Sequence, residues 1–249
     1  MAKLAFVAGD VFQPDVLNGN KAANENLGFA YPGKIDVKGA PLAVVGGAPD
    51  LGDHLEELRN WPGEIWAING AFGWCQDNGI KATFYTLDAS PVLVDMAERA
   101  GMAILASNAS PLVVQAVDGP VWLVDIEDIP HGCASACTAP MLASMRGYGS
   151  VTLFGCGCSF TEREHAYEWS HVTESRLLVK CGPDKYITTP QLIMQAEYMA
   201  DIVRGLPEYV SVKGGGFLPA LAEHGDWDAL KVSRNLMDAL NGQHELQHS

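Results

Sequence analysis

Positive charge is scarce in this sequence. Of 249 residues, 16 are Lys or Arg against 30 Asp or Glu, a formal net charge of -14. So acidic a chain is soluble and repels polyanions, which argues against general nucleic-acid binding and against anionic membrane surfaces. A small phosphate ligand held by backbone N–H groups, with or without a metal, is still compatible with it. No run of 18 apolar residues occurs, so no transmembrane helix is expected. The first residues, MAKLAFVAGDVF, carry one lysine and too short an apolar run for a signal peptide. The expected location is the cytoplasm.

Several motifs are also missing. There is no P-loop lysine, no G-x-G-x-x-G, and no Ser-His-Asp order with a nucleophile elbow. P-loop phosphoryl transfer, the common dinucleotide enzymes and serine hydrolysis are therefore not expected. The six cysteines (75, 133, 137, 156, 158 and 181) never take the C-x-x-C spacing of a structural zinc site. Reduced, buried thiols are the expectation.

What is present centres on residues 41–51, PLAVVGGAPDL. A buried strand over 42–45 runs directly into Gly46-Gly47-Ala48-Pro49, and a helix opens at Asp50. Strand, glycine turn and helix start form an anion site, because glycines let the backbone approach a ligand and the first helical N–H groups point at it. The same glycines also serve any tight strand-to-helix turn.

From 41 onward, short apolar runs alternate with helical patterns. Strands are expected over 64–69, 82–87, 103–106, 121–124 and 151–154. Helices are expected over 53–60, 71–78, 91–100, 111–117 and 134–146. Continuous apolar strands separated by helices indicate a parallel sheet covered on both faces, a doubly wound, Rossmann-like α/β domain. Further on, strands over 176–181 and 210–212 and helices over 190–206, 218–223 and 227–240 are expected. The division is an N-terminal arm over 1–40, with one strand near 4–8, a domain over 41–225, and a C-terminal helix and tail over 226–249.

Ligands of such a sheet gather at the carboxyl ends of its strands. The residues there are 46–50, Asn69, Asp88, Ser107 with Asn108, Asp125, and 155–159. Asn69 and Asp88 are each an N-cap or a ligand group, and Asp88 is the candidate to hold a metal that bridges phosphates. Ser107 and Asn108 are turn residues or ligand contacts. The polar stretch 155–169 carries His165, Tyr167 and Trp169 close together. It is either a loop packed on the core or a site wall, with His165 as acid/base and Tyr167 on a ring or phosphate.

The order of these pieces resembles a known family. G-G-x-P-[SD]-L at 46–51, Asn69, G-I-K…L-D at 79–88, L-A-S…P at 105–111, and G-x-x-x-S-F…H-A-Y at 155–167 follow one another. Q-A-E at 195–197 and G-G-G-F-L-P-A at 214–220 complete the series. This is similar to the 6-hydroxymethylpterin diphosphokinase MptE-like family, a Rossmann-like group of archaea, bacteria and their phages, over about 41–222. The resemblance implies diphosphate transfer from ATP or another nucleotide to a hydroxymethyl-type acceptor, with Mg²⁺. Gly46, Gly47, Ala48 and Pro49 would then hold phosphates with Gly155 nearby. Asn69, Asp88 and Ser107 would orient nucleotide or metal, and His165 and Tyr167 would close the site. Two positions depart from the family pattern: Asp50 where Ser is frequent, and Gly157 where an acid is common. A sialyltransferase-like glycosyltransferase using a nucleotide sugar is the alternative reading, as is a non-catalytic nucleotide- or metabolite-binding protein. A small phosphate-bearing ligand and a homodimer are the partners expected.

Overall fold

Pro41–Val45 (β1) is an interior strand of a seven-stranded sheet, with Leu42 through Val45 wholly shielded from solvent. The computed structural model describes residues 14–27, 37, 39–125, 134–161, 166 and 176–233, with residues 231–233 as backbone alone. β1 pairs in parallel with Glu64–Ile68 (β2) on one side and Ser150–Phe154 (β6) on the other. Beyond β2 lie Thr83–Thr86 (β3), Ala103–Ala106 (β4) and Val121–Val124 (β5); beyond β6 lies Val210–Val212 (β9). The order is β5-β4-β3-β2-β1-β6-β9, and every pairing is parallel.

Alternation along β1 divides the core. Ala43 and Val45 face a layer containing Pro49–His54 (a 3-10 turn), Leu55–Arg59 (α2), Gly70–Asp77 (α3), Val94–Glu98 (α4) and Pro111–Ala116 (α5). Leu42 and Val44 face the opposite layer, built from Ser135–Arg146 (α6), Pro190–Gly205 (α7) and Phe217–His224 (α8). A sheet buried on both faces needs strands apolar at every position, which is why these read as unbroken runs. The protein is a doubly wound α/β fold. The chain steps outward from β1 to β5, then returns to the other flank of β1 as β6. The switch point, where such folds open a crevice, therefore lies between β1 and β6.

Three expectations are corrected. The segment 227–240 does not begin as a helix, because Asp228–Ser233 (β10) is a strand. It pairs antiparallel with Arg176–Cys181 (β7), which also pairs with Asp184–Thr188 (β8) in a separate sheet ordered β10-β7-β8. In D-A-L-K-V-S the alternation was short and its pairing partner lay about fifty residues away, so tertiary pairing decides the conformation. β8, two residues past β7, was not foreseen. Third, the N-terminal arm contains a helix, Pro14–Asn26 (α1), within its described part; the strand expected near 4–8 lies outside the described residues. Among the described residues no helix is long and apolar enough to cross a membrane.

Candidate functional site

The turns leaving β1 and β6 touch backbone to backbone. The Gly46 N–H donates to the Phe154 carbonyl and the Ala48 N–H to the Gly155 carbonyl, each at 2.8 Å. A Cβ on Gly46 would stand 2.6 Å from the Gly155 oxygen, and one on Gly155 (φ +59°) would stand 2.5 Å from the Gly46 oxygen. The glycines are there because no side chain fits between these strands' exits. The phosphate cradle expected from Gly46 and Ala48 is corrected accordingly, since both amides already serve β6. Pro49 has no N–H and starts the 3-10 turn. By contrast, the amides of Cys156, Gly157 and Ser159 donate to no acceptor among the described residues. The available donors belong to the β6 turn.

Asp50 and Gly157 each have a structural reason. Asp50 Oδ2 accepts from the Gly215 N–H at 2.9 Å, tying the β1 turn to the glycine turn that follows β9. Its Oδ1 is buried without a partner, as is Nε2 of His54 one turn later. The His54 ring lies edge-on to Phe154, with Nδ1 3.7 Å from Glu57. Asp50 is thus a brace. Gly157 packs against the same glycine turn: a Cβ there would lie 2.6 Å from the Gly215 oxygen. An acidic side chain has no room.

Two non-glycine residues among those described have positive φ, and both lie at the exits of β1's neighbours: Asn69 (φ 49°) after β2 and Cys158 (φ 54°) after β6. Such conformations cost roughly 1–3 kcal/mol each and gather at functional sites. Asn69 stands at the N-cap position of α3 with ψ -127° but makes no side-chain cap bond. Its Oδ1 is buried and unpartnered. The capping alternative is therefore removed for Asn69.

The other expected residues are farther off. Asp88 Oδ1 accepts from the Ser90 N–H at 2.8 Å in a local turn two strands from β1. No group of three or more His, Cys, Asp or Glu able to hold a metal occurs among the described residues. Ser107 does not open on the crevice. It is 4 % exposed, three strands from β1, and its carbonyl accepts from Asn24 of α1 at 2.9 Å. Asn20 of α1 donates to the Asn108 carbonyl at 3.1 Å, and Asp125 pairs with Lys21 at 2.6 Å. The helix α1 closes that part of the edge. His165 and Tyr167 lie outside the described residues. Ala166, between them in sequence, donates its N–H to the Gly47 carbonyl at 3.1 Å.

A pocket of about 130 Å³ opens at the switch point. The Gly46-to-Ala48 turn and Gly155 form one end, and Cys156, Cys158, Ser159 and Phe160 continue the wall. Leu192, Gln195 and Met199 add to the lining from one face of α7, at i, i+3 and i+7. This wall is pinned by Thr188, whose hydroxyl donates to the Cys158 carbonyl at 2.8 Å, and by the Phe160 N–H donating to the Ile187 carbonyl at 2.8 Å. Thr189 caps α7 by accepting from the Leu192 N–H at 3.2 Å, so the hairpin aims the helix at the pocket. Burial pushes the Cys156 thiol up to about 12, keeping it neutral. Leu192 and Met199 were missed from sequence; their spacing signalled only an apolar helix face. Gln195 entered through motif order alone.

A wider groove of about 830 Å³ runs along the amino edge, past Glu64, Gln76 and Lys81. Size favours it, but the strained Cys158, the unengaged amides and the switch point all favour the smaller pocket. Comparison with family models, curated proteins and solved structures returns no match for this chain.

Proposed function

We propose that the protein is a nucleotide-binding transferase whose phosphate-bearing ligand lies across the β1/β6 crevice. The observation that carries this is the set of unengaged amides at Cys156, Gly157 and Ser159, beside an open pocket at the switch point. Such amides supply directed donors to anionic oxygens without a lysine, as an acidic chain with few cations requires. Asn69, strained and with a bare buried oxygen, suits a group that orients the ligand's hydroxyls.

The motif order supports transfer of diphosphate from ATP to a hydroxymethyl acceptor. The acceptor oxygen would form the new bond to the β-phosphorus, AMP would leave, and the hydroxyl proton would pass to a base, the role proposed for His165. This chemistry asks mainly for positioning and charge neutralisation. Mg²⁺ would supply part of that neutralisation. It characteristically binds one or two carboxylates together with substrate phosphates, and Asp50 keeps a carboxylate oxygen without a partner; Asp88 has one oxygen engaged. The second reading, glycosyl transfer from a nucleotide sugar, is supported by a pocket of one-ring size, which suits a pyrimidine base better than adenine.

Titration with pyrophosphate, ATP and CMP, with and without Mg²⁺, tests the proposal through backbone amide NMR signals. Shifts at 156, 157 and 159 are expected. Unmoved signals there, with every ligand, would remove it.

A further inference from the structure

We infer that the switch-point pocket is a subsite for a single six-membered heteroaromatic ring of pyrimidine type, with the Gln195 side-chain amide reading the ring's edge. The inference rests on the nucleotide reading above and favours its second form, transfer from a pyrimidine nucleotide sugar, over its ATP-dependent one.

Size comes first. An apolar cavity of about 150 Å³ holds one benzene molecule. The pocket, at about 130 Å³, is of that scale. One flat ring fills it, and a fused purine or pteridine must leave one ring outside. Chemistry comes second. Leu192, Met199, Cys156 and Cys158 make the lining largely apolar, as the two faces of a flat ring require. Sulfur atoms from Met199 and the cysteines are polarisable partners for a ring. Phe160 adds an aromatic wall, and the Arg176 guanidinium stacks over its ring at 4.1 Å, holding it in place.

Gln195 is the polar exception. Its side-chain amide makes no hydrogen bond among the described residues, and it offers a donor pair beside an acceptor. A pyrimidine edge presents the complementary pattern: a ring nitrogen or N–H beside an exocyclic amino or carbonyl group. A carbocyclic ring would leave the amide unanswered. The glycine-lined meeting of the β1 and β6 turns borders the same pocket, and the amides of Cys156 and Ser159, which donate to no acceptor among the described residues, belong to its rim. Ring at Gln195 and phosphate at these amides is the polarity of a pyrimidine nucleotide.

Calorimetric titration of the full chain with pyrophosphate, CMP, UMP, AMP and GMP tests this, alongside the Gln195→Leu variant. Gln195 is not part of the buried core, so the variant is expected to fold, with an unchanged melting temperature as the check. The expectation is at least tenfold tighter binding of CMP or UMP than of AMP or GMP. Gln195→Leu should weaken the pyrimidine nucleotide about tenfold and leave pyrophosphate unaffected. If purines bind as well as pyrimidines, or if Gln195→Leu leaves CMP and UMP unchanged, the inference is overturned while the phosphate site stands. If pyrophosphate and every nucleotide fail to bind, the nucleotide reading and the inference both fall.

Discussion

Gly157 shows how a single residue separates packing from chemistry. In the motif pattern it stands where an acid is common, so sequence presents it as a lost ligand. The structure shows the Gly215 carbonyl 2.6 Å from where its Cβ would be. Gly157→Asp is expected to destabilise the fold by roughly 1–3 kcal/mol, the usual cost of overpacking, read as a lower urea midpoint at unchanged slope. A variant as stable as the parent contradicts the packing account. Thiols give a second residue-scale prediction. Burial raises Cys75 and Cys156 from the ordinary 9.0 to about 12. Above pH 9 the unfolded chain loses protons that the folded chain keeps, so this contribution to stability is complete below 9 and is lost between 9 and 12. Urea unfolding at pH 7.5 and 9.5 should show the decline, and it should be smaller in Cys75→Ala/Cys156→Ala. Gly46 was legible in the sequence as a glycine that a turn needs. The reason was not, because the oxygen it avoids comes from Gly155, more than a hundred residues on.

Among elements, α1 buries only Asn24 and is held by specific polar contacts. The Asn24 side-chain amide donates to the Ser107 and Ala109 carbonyls at 2.9 Å each, in a residue 1 % exposed. Asn24→Ala leaves two buried carbonyls unanswered and is expected to cost about 2 kcal/mol. Hydrogen exchange should then quicken across α1 while β1 and β6 are unchanged; unaltered exchange in α1 would show that these bonds do not hold it. A helix anchored by asparagines gives little periodic signal, and the arm's sequence did not reveal it. The strands β4, β5, β7 and β9 were legible to the residue, because burial on both faces or steady alternation writes itself locally. β10 was not, since its partner β7 is remote in sequence and its own alternation is six residues long. The face of α7 that lines the pocket was legible as apolar, but nothing in the helix itself says that Leu192, Gln195 and Met199 border a cavity rather than a core.

At the scale of the molecule, alternation of apolar runs and helices specified a doubly wound sheet, and the general rule for such sheets specified its carboxyl edge. Strand order was what sequence withheld. With β1 between β2 and β6, residues after β2 and β6 approach the site, whereas Ser107 after β4 stands three strands away beneath α1. Neighbouring strands are about 4.8 Å apart, so that displacement is roughly 14 Å, too far for one phosphate contact. The same order concentrates both positive-φ non-glycine residues beside β1 and leaves the larger amino-edge groove without comparable features. The proposed function stands on ligand entering the crevice between β1 and β6. The most direct measurement is amide NMR of the full chain during titration with CMP, using pyrophosphate as the ring-free control. Shifts are expected at residues 155–159 with both ligands and at the Gln195 side-chain amide with CMP alone. Shifts confined to residues 79–83 along the amino-edge groove would contradict it.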